Sequence, residues 1–373
     1  MRHFLFFSLF LLSGAAAAQT PSCDCRATLR ETWAYLQPLP AFRDHCTDGN
    51  CAATYAKLYA RAAGTAGDLA CYRLLTALVA TLGDDHTAIY GAGPDSLWVE
   101  RAGDGAQGPA EPRGERYYGD RGAYDLQLPP GGGEGALLTG RGDTVAFLTP
   151  LGDHRYRYSG HRPADGRLIT FSEQIRGGHF NHLGLRRDTT ERYFARAPAT
   201  GMYAYRQSRP RVGYLRLGSF RAFQPTLAAA EAFYAGLPAL LAGDTLIVDL
   251  RDNPGGGDRN SQLAYRILQR HRKQYDAILV LINHNTTSNA EQFALRLSRW
   301  PTVTLAGEAT RGMLAYELEG ASETVGCGRF VLSLATRRHR RYLPYEGRGV
   351  PPDLPLPAGE DWVEGVLAAS REE

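Results

Sequence analysis

The sequence predicts an α/β fold in which a parallel sheet, buried on both faces, carries the polar residues of a site. Two short apolar runs lie at residues 245–250 and 277–282, and a polar, turn-forming segment follows each of them. An unbroken apolar run bounded by polar turns is typical of a strand that is covered on both faces. A helical pattern follows each turn, and such alternation favours a layered α/β arrangement. With 373 residues, 43% of them hydrophobic, the chain can build this core and further regions beside it.

The N-terminus has the features of a signal peptide, which we assign to residues 1–18. A basic head at 1–3 precedes an apolar run at 4–12 and four alanines at 15–18. This run is too short to span a bilayer, and no later stretch is apolar enough to do so. We therefore expect an exported protein, periplasmic or secreted, with no integral membrane segment after signal cleavage. The formal net charge of +3 is small and gives no reason to expect a nucleic-acid partner.

Five of the six cysteines lie close to the mature N-terminus, at Cys23, Cys25, Cys46, Cys51 and Cys71. In an oxidising compartment this spacing favours disulfides that staple a small helical region. Cys46 and Cys51 can close a tight loop, and either Cys23 or Cys25 can reach Cys71, so the pairing stays open. A metal-binding Cys-x-Cys pair is the alternative, although the sequence has no second pair at ligand spacing.

The chain divides into three regions after the signal peptide. Residues 19–88 show apolar residues at helical spacing, which predicts a helical, cysteine-rich subdomain. In residues 89–210, glycine-rich turns alternate with short apolar runs such as 136–139, 144–148 and 167–171, which predicts a β-rich middle region. Residues 211–373 begin with a strand at 212–219 and a helix at 226–241, and form the predicted α/β domain.

Ser288 follows the second buried strand and precedes a helical pattern. A serine hydroxyl becomes a nucleophile only when a base accepts its proton, and the start of a helix favours an oxyanion nearby. The same position also suits a helix cap, with Glu291 completing a capping box. Both interpretations are open on the local pattern.

The glycine run that follows the first buried strand has a similar double interpretation. Gly255, Gly256 and Gly257 permit backbone N–H groups to point into a site, as an oxyanion hole requires, or they form a tight turn. No Gly-Lys-Ser/Thr follows them, so they are not a phosphate-binding loop of the Walker type.

His86 and Glu346 are the remaining candidates for acid–base chemistry. His86 lies in the acidic loop Gly83–Thr87, and Glu346 lies in the loop Tyr345–Asp353, which is rich in glycine and proline. A histidine beside acids serves either as a base or as a solvated loop residue, and a glutamate can orient an imidazole. Taken singly, each residue permits the solvated interpretation.

Taken in order, these segments resemble the tail-specific, or carboxyl-terminal processing, serine proteases. The resemblance covers residues 211 to 357 together with the Gly83–Thr87 motif, and its motifs are at 212–220, 249–257, 287–291 and 307–312. One branch of that family pairs the serine with a lysine about 25 residues later, where this chain has Met313. The other branch, which includes the tricorn protease core and the relatives of interphotoreceptor retinoid-binding protein, uses an upstream histidine and a downstream glutamate. This chain resembles the second branch.

The resemblance implies a crotonase/ClpP-like twisted-sheet core, a peptide or protein substrate, and no metal or organic cofactor. It also implies that Ser288 is the nucleophile, that His86 is the general base and that Glu346 orients His86. The backbone N–H groups of Asn289 and of Gly255 or Gly256 would form the oxyanion hole. Asp85 stands where this branch sometimes has a serine, which makes it a possible alternative orienting acid.

Several other interpretations remain as alternatives. Family members often carry a PDZ module, but residues 89–210 lack a convincing carboxylate-binding loop, so we expect a β-rich insertion that shapes the cleft. His179 and His182 have the spacing of a helix face but no third ligand at fixed spacing. The main rival function is a non-catalytic protein of the same fold that binds ligands or peptides. An esterase is disfavoured because Ser288 is not in a Gly-x-Ser-x-Gly motif.

Overall fold

The structure is a computed structural model that describes residues 24–93, 114–198 and 201–369. The predicted signal peptide at 1–18 and Cys23 lie outside these ranges. The α helices are α1 (Cys25–Leu36), α2 (Pro40–His45), α3 (Asn50–Arg61), α4 (Asp68–Val79), α5 (Thr226–Leu240), α6 (Asp258–His271), α7 (Asn289–Leu297) and α8 (Trp362–Ala369). None of the helices in the described ranges is long and apolar enough to cross a membrane.

The strands form three sheets. Their bounds are β1 (Ala88–Gly91), β2 (Glu115–Gly119), β3 (Gly122–Gln127), β4 (Gly135–Thr139), β5 (Thr144–Gly152), β6 (Arg155–His161), β7 (Leu168–Arg176), β8 (His179–Phe180), β9 (Tyr203–Arg209), β10 (Val212–Leu217), β11 (Thr245–Asp249), β12 (Ala277–Ile282), β13 (Val303–Gly307), β14 (Tyr316–Val325), β15 (Phe330–Arg338) and β16 (Leu354–Pro355). The mixed α/β fold class predicted from the sequence is confirmed.

Helices α1 to α4 form the N-terminal region, and two disulfides link them. Cys25 in α1 is bonded to Cys71 in α4, and Cys46 is bonded to Cys51 at the start of α3. The disulfide of Cys25 excludes its thiolate from the metal-binding alternative. α4 continues through a 3₁₀ turn at Ala80–Leu82 directly into the loop that carries His86.

The middle of the chain folds into a seven-stranded antiparallel sheet. Its strands run in the order β2-β3-β4-β5-β6-β7-β8, so each strand pairs with its neighbours in the sequence. The three apolar runs that the sequence singled out are β4, β5 and β7. Aromatic and aliphatic side chains pack on this sheet as a core of their own, which includes Tyr117, Leu137, Val145, Tyr158 and Phe180.

A six-stranded sheet forms the centre of the α/β region, in the order β16-β13-β12-β11-β10-β9. All neighbouring pairs are parallel except β9 with β10. Side chains of a strand alternate between its faces, and here both faces are buried. Val248 and Val280 join the main core beneath α5, α6 and α7, whereas Ile247 and Leu279 pack with Trp362 of α8 on the other face. The apolar runs are therefore unbroken because neither face meets water.

A third sheet, in the order β1-β15-β14, fixes the position of the His86 loop. β1 begins at Ala88, two residues after His86, and pairs antiparallel with β15, with Ala88 opposite Ser333. The Thr87 hydroxyl also accepts the N–H of Ala335 in β15 (3.2 Å). This pairing attaches the end of the N-terminal helical region to the C-terminal hairpin β14–β15.

Candidate active site

Ser288 lies at the turn between β12 and α7, in a strained backbone conformation. Its φ is +57° and its ψ is −124°, values that a residue with a side chain rarely adopts. The Glu291 carboxylate accepts the N–H of Ser288 (2.7 Å), and the carbonyl of Asn253 accepts the N–H of Thr287 (2.9 Å). These bonds hold the turn on both sides of Ser288. Glu291 supplies the capping contact predicted from the sequence, while the Ser288 hydroxyl contacts a different group.

That group is His86, which is 202 residues away in the sequence. The Nε2 atom of His86 lies 2.9 Å from the Oγ of Ser288. If Ser288 donates this hydrogen bond, the proton of the neutral imidazole must reside on Nδ1. Asp84 holds the His86 loop, because its carboxylate accepts the N–H of His86 (2.8 Å) and the hydroxyl of Thr87 (2.6 Å).

Two carboxyl groups face the other side of the imidazole. An oxygen of Asp84 lies 4.0 Å from the Nδ1 of His86, and one atom each from Asp84, His86 and Glu346 lie within 4.8 Å of one another. The Oε2 atom of Glu346 accepts the N–H groups of Leu314 (2.9 Å) and Ala315 (2.7 Å). Within the described residues, the Nδ1 of His86 and the Oε1 of Glu346 are buried without a hydrogen-bond partner.

Asp85, the alternative orienting acid, has a different ionic partner. It forms an ion pair with Arg157 of β6 at 3.2 Å. The aspartate beside Nδ1 of His86 is therefore Asp84, a residue that the sequence analysis did not select. Two consecutive aspartates give no signal in a sequence as to which of them faces the histidine, because the answer depends on the distant Arg157.

Burial sets the protonation states of these groups. It lowers the pKa of His86 to about 4, against a smaller opposing effect of Asp85. Burial raises the pKa of Glu346 to about 9, although the backbone N–H groups that it accepts favour its ionised form. Burial likewise raises the pKa of Asp84 to about 6, against the opposing effect of the Thr87 hydroxyl. At neutral pH the imidazole is therefore unprotonated and ready to accept a proton, and the Glu346 carboxyl is protonated.

The backbone N–H groups predicted for an oxyanion hole are not equivalent. The Oδ1 atom of Asn253 accepts the N–H of Gly255 (2.9 Å), so this N–H is already used. Among the described residues, the N–H groups of Gly256 and Asn289 have no such partner. Gly255 matters sterically instead: a Cβ there would lie 2.9 Å from the Cβ of Ser288 and 2.6 Å from the carbonyl oxygen of Thr287, and its φ is +81°.

Glu291 connects the start of α7 to the turn after β13. One of its oxygens accepts the hydroxyl of Thr310 (2.5 Å) and the N–H of Gly312 (2.8 Å). The other accepts the N–H groups of Ser288 (2.7 Å) and Met313 (3.0 Å). Burial raises the pKa of this carboxyl, while the four donors favour its ionised form. The sequence pattern suggested only a cap for Glu291, so its link to the 310–313 turn is a finding of the structure.

Ser288 opens into a small polar cavity of about 280 Å³. Its walls include Gly256, Asn289, Arg296, His339 and Arg341. This cavity lies beside the N–H groups of Gly256 and Asn289.

A larger cavity of about 1430 Å³ lies between the seven-stranded sheet and the parallel sheet. Phe171, Tyr214 and the buried Arg311 contribute to its walls. The Nη2 atom of Arg311 lies 3.0 Å from the Nδ1 of His182, which identifies a partner of His182 other than a metal. His179 lies in the short strand β8 and stacks on Tyr193, so the two histidines do not share a helix face.

These elements define a mixed α/β protein in which a serine at a strand–helix turn contacts a neutral histidine. Residues 211–355 match the model of peptidase family S41. The family resemblance inferred from the sequence motifs is confirmed. No curated protein matches the chain significantly.

Solved structures with a similar arrangement extend over most of the chain. A lipoprotein from Streptococcus agalactiae is 12% identical over 98% of this chain and 99% of its own, with a TM-score of 0.45. A photosystem II D1 C-terminal processing protease is 16% identical over 92% and 97%, with a TM-score of 0.41. A tricorn protease is 13% identical over 94% of this chain and 36% of its own, with a TM-score of 0.47. The likeness to peptidase family S41 rests on the match of residues 211–355.

Proposed function

We propose that the protein is an exported serine peptidase in which Ser288 attacks the peptide carbonyl, His86 is the general base and Glu346 stabilises the protonated His86. The observation that carries the proposal is the 2.9 Å contact between the Oγ of Ser288 and the Nε2 of His86. The match of residues 211–355 to peptidase family S41 supports peptide bonds as the substrate. The two disulfides and the signal-peptide pattern at 1–18 support export.

The chemistry follows from these positions. As the Oγ of Ser288 bonds to the substrate carbonyl carbon, its proton passes to the Nε2 of His86. The oxyanion that forms is stabilised by the N–H groups of Gly256 and Asn289 at the positive end of α7. His86 then returns the proton to the leaving amine, and a water molecule hydrolyses the acyl-enzyme by the same route.

Glu346 acts when His86 becomes charged. In the resting site its carboxyl is protonated because burial raises its pKa. A new positive charge on the imidazole, within 4.8 Å, favours the ionised carboxylate. The N–H groups of Leu314 and Ala315 hold one oxygen in place, and the other is buried without a hydrogen-bond partner among the described residues.

Labelling with a fluorophosphonate probe tests the proposal. The mature protein, from Gln19, is treated with the probe and the adduct is located by mass spectrometry. We expect an adduct on Ser288 that is absent from the Ser288→Ala and His86→Ala variants. Ser261→Ala is the matched control, because Ser261 lines the same small cavity and lies in α6, so its loss should leave labelling intact. Folding of each variant is checked by circular dichroism.

Two results would contradict the peptidase mechanism. An unlabelled but folded wild-type protein would favour a non-catalytic binding protein. In that alternative, the 1430 Å³ cavity would hold the ligand. Labelling that survives His86→Ala would show that another group activates Ser288. A digest of a mixed peptide library then separates a peptidase from an esterase, since only a peptidase produces new amino termini.

A further inference from the structure

Three side chains on the Nδ1 side of His86, including His86 itself, form a group that can bind a metal ion. Asp84, His86 and Glu346 each place one ligand atom within 4.8 Å of the others. In the described part of the chain, this is the one cluster of three such side chains at that spacing. Asp84 and His86 are 4% and 5% exposed, so the cluster is shielded from bulk water.

Two of the three side chains have a buried polar atom without a hydrogen-bond partner, and the third retains an unused lone pair. The Nδ1 atom of His86 and the Oε1 atom of Glu346 are buried and lack a hydrogen-bond partner among the described residues. The Oδ1 atom of Asp84 accepts the N–H of His86, which leaves its second lone pair. A buried polar atom without a partner is energetically unfavourable. A ligand that binds all three side chains would therefore stabilise the folded protein.

The rest of each side chain is already held in place. The N–H groups of Leu314 and Ala315 bind Glu346, and the Thr87 hydroxyl binds Asp84. The Oγ of Ser288 binds the far nitrogen of His86. Such outer partners orient ligands and strengthen a metal site.

From this arrangement we propose that Asp84, His86 and Glu346 form an inhibitory Zn²⁺ site. One imidazole nitrogen and two carboxylate oxygens form a ligand set that zinc accepts, with metal–ligand distances of about 2.0–2.2 Å and water in the fourth position. Ligands of a tetrahedral zinc ion lie about 3.3–3.6 Å apart, so each atom, starting no more than 4.8 Å from the others, moves inward by up to about 0.8 Å. The exposed residues Gly347 and Arg348, next to the half-buried Glu346, mark the side from which an ion can enter.

Bound zinc changes which ring nitrogen of His86 carries the proton. Coordination uses the lone pair of Nδ1, so the proton of the neutral imidazole must move to Nε2. The Nε2–H group then donates to the Oγ of Ser288 and cannot accept its proton. Glu346 gives up its proton to solvent when it binds the ion, so zinc binding releases protons and strengthens as pH rises.

Binding is tested without any need for activity. Zinc is titrated calorimetrically into Ser288→Ala protein whose free thiols, including the exposed Cys327, have been alkylated. We expect one site, whose affinity falls at least tenfold when either Glu346→Gln or Asp84→Asn is added. The matched control is Asp85→Asn, which removes the charge of the neighbouring aspartate that pairs with Arg157 and should lower zinc affinity less than threefold. Absence of a site, or an affinity that the Glu346 and Asp84 variants leave unchanged, would overturn the proposal.

The inhibitory effect rests on the proposed function and is measured separately. Fluorophosphonate labelling of the wild-type protein should fall as zinc occupies the site and recover when EDTA is added. Labelling that persists at zinc concentrations that saturate the calorimetric site would overturn the inhibitory role. A protein that binds zinc at this site but is never labelled would instead contradict the proposed peptidase and support the metal site.

Discussion

Ser288 is held in a conformation that its own side chain disfavours. A positive φ with a ψ of −124° is accessible to glycine and costs about 1–3 kcal/mol for other residues. Such strain persists only where the surroundings enforce it, here through Glu291 and Asn253. The Oγ therefore reaches His86 at the expense of stability.

This strain predicts that Ser288→Gly is more stable than Ser288→Ala. Both variants lose the hydroxyl and its contact with His86, so they differ only in the backbone. Glycine removes the strain but adds freedom to the unfolded chain, and we expect a net gain of about 1 kcal/mol for glycine over alanine. Urea unfolding measures the difference. Equal stability of the two variants would mean that the Ser288 conformation is relaxed.

The carboxyl of Glu346 also lowers the stability of the folded protein at neutral pH. Burial raises its pKa from 4.5 to about 9. Between these values the folded protein binds more protons than the unfolded chain, so this residue's contribution to stability is complete below pH 4.5 and is lost as pH rises toward 9.

We therefore predict that Glu346→Gln stabilises the protein at neutral and alkaline pH. Glutamine can still accept the N–H groups of Leu314 and Ala315 through its oxygen, and it does not titrate. The variant should match the wild type near pH 4 and exceed it by about 1–3 kcal/mol at pH 7, while fluorophosphonate labelling slows. Unfolding curves across this pH range decide the question. A variant that is less stable throughout would identify Glu346 as a structural carboxylate.

At the scale of single residues, the sequence named Ser288, His86 and Glu346 as candidates but did not show which groups surround them. Those three were found because ordered motifs resemble a family. Asp84 was missed because Arg157, far along the chain, decides which aspartate of the pair turns away. The N–H of either Gly255 or Gly256 was expected in the oxyanion hole; that of Gly255 donates to Asn253, a local contact that glycine spacing does not reveal.

At the level of elements, the start of α7 and the turn after β13 meet at Glu291. Its two oxygens accept four donors, from Ser288, Thr310, Gly312 and Met313. Glu346 differs, since one of its oxygens has no partner within the described residues. The stability of the protein should therefore change in opposite directions when Glu291 and Glu346 are each replaced by glutamine.

Glu291→Gln should destabilise the protein by about 1–3 kcal/mol, because the new amide group faces N–H donors and leaves at least one of them unsatisfied. Fluorophosphonate labelling of Ser288 should slow at least tenfold as the turn loosens. Glu346→Gln, measured beside it at pH 7, is the matched control, because we expect that variant to increase the free energy of unfolding. If Glu291→Gln were as stable as the wild type, the four hydrogen bonds would not secure the turn.

The elements themselves were predictable to different degrees. β11 and β12 were evident because both faces of the parallel sheet are buried, which gives continuous apolar runs. The pairing of β1 with β15 was not evident from the sequence, because it joins residues more than two hundred positions apart through backbone hydrogen bonds. That pairing brings the His86 loop to the Ser288 turn, so the site depends on a contact without a local sequence signal.

Over the whole molecule, the site is assembled from both ends of the chain. His86 follows the N-terminal helices, whereas Ser288 and Glu346 belong to the α/β region. The Cys25–Cys71 disulfide ties α1 to α4, and α4 leads directly into the His86 loop. Cys46–Cys51 closes a short loop between α2 and α3, farther along the chain from His86.

The two disulfides should therefore differ in their effect on Ser288. They close loops with sequence separations of 46 and 5 residues, for which chain entropy predicts losses of about 4 and about 2 kcal/mol when they are removed. We expect Cys25→Ser/Cys71→Ser to lower the melting temperature more than Cys46→Ser/Cys51→Ser. It should also slow fluorophosphonate labelling below the melting transition, because α4 no longer holds the His86 loop firmly. Labelling rates measured against temperature for both double variants test this link. If the Cys46/Cys51 variant lost labelling first, the position of His86 would depend on the α2–α3 loop instead of on α4.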